Sequence, residues 1–87
     1  MLKPEEIELI GPGDAEKIAK LEVEIDATLK RNHGYAEQKF SLRDRRFSVE
    51  MARRYRAAGW FVELLDAEIN ETAALAIRVI HPDLRGA

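Results

Sequence analysis

Arginine is the residue type in this sequence best equipped to act on a partner. Six arginines, Arg43, Arg45, Arg46, Arg53, Arg54 and Arg56, lie with Lys39 between residues 39 and 58, against only Asp44 and Glu50. At about 100° per residue on a helix, Arg45, Arg53 and Arg56 fall around Val49, opposite Phe47 and Met51. Such an array suits phosphate, because the planar guanidinium fork matches paired oxygens. The same array also suits a solvated face that complements the acidic first helix or an acidic partner. Arg46 and Arg54 each stand four residues from Glu50, a spacing that pairs charges along a helix. A net charge of −2 and the lack of a long basic stripe make nucleic acid the second reading.

The other candidates for chemistry fall short on spacing. His33 and His81 stand near the ends of different elements, and zinc needs at least three ligands, which a chain without cysteine does not cluster. Ser41 and Ser48 match no histidine–carboxylate pair of the kind that activates a nucleophile. Gly11-Pro12-Gly13-Asp14 precedes a helix, as a phosphate loop would. However, Pro12 has no N–H, Asp14 is positioned to occupy the helix-end donors, and Glu16 repels an anion. No catalytic residue, cofactor or metal is therefore expected, and the chain does not read as an enzyme.

Length and composition set the frame for these residues. With 87 residues, 46% hydrophobic and 34% charged, residues 1–87 read as one globular domain. A core this small gains from pairing with a second copy. Charge is divided along the chain: −5 over residues 1–27, +1 over 28–38, +5 over 39–58 and −3 over 59–87. The absence of cysteine fits a reducing compartment. The start turns acidic within five residues and lacks a leader's apolar run. No stretch of about 18 apolar residues occurs. A cytoplasmic location and no membrane partner are the expectation.

The elements that must position the arginines follow from periodicity. Glu6-Ile7-Glu8-Leu9 alternates like a short strand, and Gly11-Pro12-Gly13 stops it. Asp14 is a good helix cap, and Ile18, Leu21, Ile25 and Leu29 mark one apolar face of the helix that follows. Glu16–Lys20 and Asp26–Lys30 support its polar side, and Asn32-His33-Gly34 ends it. Residues 35–42 read as an exposed strand, with a helical extension as the alternative. A second helix starts between Ser41 and Asp44 and runs to Ala58. Phe47, Met51, Tyr55 and Ala58 form its seam, and Gly59 is its terminating residue. Trp60 to Leu65 and Leu75 to Ile80 are strands joined through a turn at Ile69-Asn70-Glu71-Thr72.

Alternation divides this hairpin into two faces. Trp60, Val62, Leu64, Leu75, Ile77 and Val79 share one. Phe61, Leu65, Ala76 and Ile80 share the other, interrupted by Glu63 and Arg78. A sheet apolar on both sides needs both covered. Either the two helices take one face each, or a second copy or another protein covers the face they leave. Phe61, Leu65 and Ile80 are the self-association candidates.

The order (β)αβαββ implies an α+β domain: two layers, two helices and a mixed sheet with one parallel crossover. In outline it is similar to the Alba-type chromatin and RNA-binding proteins and to the C-terminal domain of bacterial initiation factor three. Gly11-Pro12-Gly13-Asp14 stands where an Alba protein carries a lysine-rich loop, so that family's binding residues do not transfer. Arg54-Tyr55-Arg56-Ala57-Ala58-Gly59-Trp60 followed by a hairpin resembles a pattern of small uncharacterised phage proteins, over about a third of the chain. Together these readings point to a non-enzymatic protein-binding or assembly module, phage-like and homodimeric. The alternative is a small RNA- or DNA-binding domain using the arginine-rich helix.

Overall fold

The computed structural model describes residues 1–85 and shows a small α+β domain. Helices α1 (Ala15–Arg31) and α2 (Arg45–Ala57) pack on a sheet of β1 (Tyr35–Ser41), β2 (Phe61–Ile69) and β3 (Thr72–Ile80). A four-residue helical turn, α3 (Pro82–Arg85), follows β3. Among the described residues no helix is long and apolar enough to cross a membrane.

The expected faces are the buried ones. Ile18, Leu21, Ile25 and Leu29 of α1 meet Phe47, Met51 and Tyr55 of α2 over Ala36, Phe40, Val62, Ile77 and Val79 of the sheet. Met51 and Ile77 are fully enclosed, and Ile25 is 1% exposed. Trp60 and Ile10 pack against the margin of this core. Ala58 is not part of the seam; it follows the last turn of α2 and is exposed. Phe47 lies beneath two cations, with Lys17 Nζ 4.6 Å and Arg46 Cζ 4.4 Å from its ring centre. The charged groups themselves sit over the ring, and each also pairs with a carboxylate, Lys17 with Asp44 and Arg46 with Asp14.

Both long helices end in the same way. Gly34 N–H donates to Leu29 O and His33 N–H to Lys30 O; likewise Trp60 N–H donates to Tyr55 O and Gly59 N–H to Arg56 O. These paired bonds are the Schellman closure. Gly59 occupies its left-handed position at φ +103°, as expected. After α1 that position falls to His33 (φ 55°), and Gly34 follows at φ +107°.

The sheet differs from expectation in one respect. Its order is β1-β3-β2 and both ladders are antiparallel, so it is not mixed. β1 and β2 do run in the same direction, joined through α2, but β3 lies between them and takes both sets of hydrogen bonds. Residues 35–41 are a strand, whereas the doubtful strand at residues 6–9 is absent. A 3₁₀ turn occupies Pro4–Glu6, and Ile7 and Leu9 remain about half exposed. The segment lies against α2 instead, where Leu9 O accepts from Arg46 Nη1 at 3.0 Å. The β2–β3 turn holds Asn70 and Glu71 both at positive φ, the geometry whose twist suits a two-residue hairpin.

Candidate functional site

Alternation along the strands and the ladder register define two faces. Val62 stands opposite Val79, Leu64 opposite Ile77, and Phe61 opposite Ile80. Trp60, Val62, Leu64, Leu75, Ile77 and Val79 therefore belong to the helix side, as expected. Leu64 is nonetheless 47% exposed, although its partner Ile77 on the central strand is fully enclosed, because β2 is an edge strand. The arrangement with one helix on each face does not occur, since α1 and α2 both cover the side of Ile77 and Val79.

The opposite face is open. It carries Phe61, Leu65 and Ile80, all half-buried, with Tyr35 and Ile69 at the margins and Ala74 and Ala76 along β3. Residues on directly opposed positions form rows across the three strands: Tyr35–Ile80–Phe61, Glu37–Arg78–Glu63, Lys39–Ala76–Leu65 and Ser41–Ala74–Ala67. The structure thus brings Phe61, Leu65 and Ile80 onto one surface. Long polar side chains partly roof it. Arg85 of α3 lies 3.9 Å over the Phe61 ring, and Lys39 Nζ donates to Glu68 O at 3.1 Å. Arg78 Nη2 reaches Glu37 Oε2 at 3.4 Å, while its Nε and the Ser41 hydroxyl are buried without a partner among the described residues.

The arginines of α2 occupy the face expected and stay largely exposed while bonding within the chain. Arg45 Nη1 donates to Leu42 O at 3.0 Å, and Arg56 Nη2 to Val62 O at 2.9 Å. Arg53 pairs with Glu50. Glu50 is the exception among the acids, with a side chain 5% exposed, and it also accepts from Arg54 Nε at 2.7 Å. The hydrogen bond from Arg54 and the two positive charges hold its carboxyl below the usual range. Arg54 continues to Glu22 at 2.7 Å. Arg46 does not reach Glu50; it forms a two-pronged pair with Asp14 at 2.5 and 3.1 Å and donates to Leu9 O. Asp14 makes no cap bond to α1. Its carboxylate turns back to Arg46 and the Gly11 N–H, and those hydrogen bonds lower its pKa to about 2.

The remaining candidates have structural roles or stand alone. Ser48 is enclosed and donates to Arg45 O at 2.6 Å. His81 Nδ1 accepts the Asp83 N–H at 3.1 Å in an exposed turn, and its ring meets Trp60 edge-on. Asp26 accepts the Tyr55 hydroxyl at 2.6 Å, which with burial raises the tyrosine pKa. Sequence spacing does not reveal this contact, because it joins two helices. Among the described residues no group of three metal-ligating side chains forms. The chain matches no protein family, no curated protein and no solved structure.

Proposed function

We propose that this chain is a non-enzymatic protein-binding or assembly module that works through the open face of its sheet. One observation carries the reading: both helices lie on one side, so Phe61, Leu65 and Ile80 share a surface that no long element of the chain covers. Phe61, Leu65 and Ile80 are half-buried, so covering them adds only part of the about 1.5–3 kcal/mol that complete burial of a large side chain contributes. An apolar surface of this kind, here crossed by the charged row Glu37–Arg78–Glu63, suits an interaction surface. A cytoplasmic setting suits a chain without cysteine, and a phage origin rests on the resemblance carried by Arg54 to Trp60.

The phosphate-binding alternative has less support. Each of Arg45, Arg53 and Arg56 spends one donor within the chain, and a net charge of −2 without a long basic stripe supplies little of the field that phosphate binding uses.

A photo-crosslinking side chain placed at Leu65 in cells tests the proposal, with the exposed α1 residue Val23 as the control. Protein adducts at Leu65 that persist as salt rises, with none at Val23, are expected. Adducts to nucleic acid alone, or none at either position, would overturn it.

A further inference from the structure

The four rows of the open face are not equivalent, and their order carries information about what fits over them. The first, Tyr35–Ile80–Phe61, is large and mostly apolar. The second, Glu37–Arg78–Glu63, reads acid–base–acid. The third, Lys39–Ala76–Leu65, is basic at the β1 edge, and the fourth, Ser41–Ala74–Ala67, is small throughout. We propose that this face is covered by a second copy of the chain, packed face to face about a two-fold axis that crosses the strands between the second and third rows. The inference rests on the open face being a protein-binding surface and goes further by naming the occupant and its register.

Such an axis exchanges the second row with the third and the first with the fourth. Glu37 then meets the second copy's Lys39, and Lys39 meets the second copy's Glu37, so both pairs are of opposite charge. Lys39 Nζ lies against Glu68 O on β2, and in this pairing it leaves that carbonyl and swings back over β1. Arg78 faces the second copy's Ala76, which its own neighbours enclose to 1% exposure. Phe61 and Ile80 face Ala67 and Ala74, so large side chains sit over small ones, as close packing of two sheets requires. Tyr35 meets Ser41, whose hydroxyl has no partner among the described residues. Glu63 faces the second copy's Leu65 on the edge strand β2, where its carboxylate reaches outward to water.

The competing axis, parallel to β3, places Arg78 on Arg78 and Glu37 on Glu63, which like-charge repulsion disfavours. Sheets packed about 10 Å apart cross at about 30°, which leaves rows this near the axis opposed.

Area agrees with an occupant of this size. The chain exposes 6367 Å², whereas a folded monomer of 9.9 kDa exposes about 5,200 Å². The segment before α1 supplies part of the excess. A standard interface removes about 800 Å² from each partner.

Light scattering on the intact chain at tens of micromolar should give about twice 9.9 kDa. Glu37→Lys and Lys39→Glu should each raise the dimer Kd at least about tenfold. An equimolar mixture of the two variants should associate as tightly as the original chain, because every Glu37–Lys39 contact between unlike variants is again of opposite sign. Both positions are exposed, so circular dichroism should show each variant folded. A mass of 9.9 kDa for the original chain overturns the inference. So does a dimer indifferent to both variants, or a mixture no tighter than its components. A monomeric chain that still cross-links another protein at Leu65 sinks this inference alone, whereas a monomer with no adducts sinks the functional proposal with it.

Discussion

Asp14 shows how much one side chain can organise. Arg46 and the Gly11 N–H hold its carboxyl to a pKa of about 2, so the folded chain binds that proton less tightly than the unfolded one. The resulting stabilisation is complete above the ordinary carboxyl range, near pH 4, and is lost as pH falls through about 2. Asp14→Asn should therefore lower the urea midpoint at neutral pH, and the gap from the parent chain should close between about pH 4 and 2. A gap that stays constant across that range would contradict the assignment. At the core, Met51→Ala and Ile77→Ala should each cost about 2–5 kcal/mol, because both side chains are fully enclosed. Glu24→Ala, on the exposed side of α1, should change the thermal midpoint little. The partners of the arginines were not legible in the sequence. Asp14 and Glu22 lie 32 residues from Arg46 and Arg54 respectively, and helix periodicity sees only neighbours within a turn. Even so, Glu50 with Arg54 was readable, since both sit on one helix.

At the scale of elements, the two helix ends make a sharp comparison. Gly34 and Gly59 both hold positive φ, but an added Cβ at Gly34 would lie 2.9 Å from His81 Cβ, whereas at Gly59 it meets nothing within 4 Å. Gly59→Ala should lose about 1–3 kcal/mol from backbone strain alone, and Gly34→Ala clearly more. Equal losses in denaturant titration would show that the His81 contact yields freely. The helices, their stops and the hairpin were legible because each has a local signature: a face repeating every three or four residues, a glycine at the exit, alternation with a period of two. The division of Phe61, Leu65 and Ile80 from Val62, Ile77 and Val79 follows from that alternation. What local signatures do not carry is which strands pair and on which side a helix settles. An apolar stripe on α1 specifies that it must be covered, and is silent on the sheet face that covers it. Likewise Glu6 to Leu9 alternates like a strand, yet it joins neither sheet edge, and Leu9 O accepts from Arg46 of α2 instead.

For the whole molecule, charge segregates without producing a strong phosphate surface. Net charge is −2, and the arginines of α2 are engaged with Glu50, Glu22 and main-chain carbonyls. In a gel-shift titration at low salt the chain should not retard RNA or duplex DNA. Retardation that disappears on replacing Arg45, Arg53 and Arg56 together, with a flattened salt slope, would instead establish phosphate binding. The order of the sheet has a consequence of another kind. Its central strand, Thr72–Ile80, comes last among the three in the sequence, and every ladder in the sheet runs through it. A ribosome makes the two edge strands and both long helices first, and none of them can close the sheet. Until residue 72 emerges, β1 and β2 have no antiparallel neighbour and the helices have only each other. The strands must therefore stay unpaired until Thr72–Ile80 emerges and closes both ladders, with that strand as the keystone of the sheet.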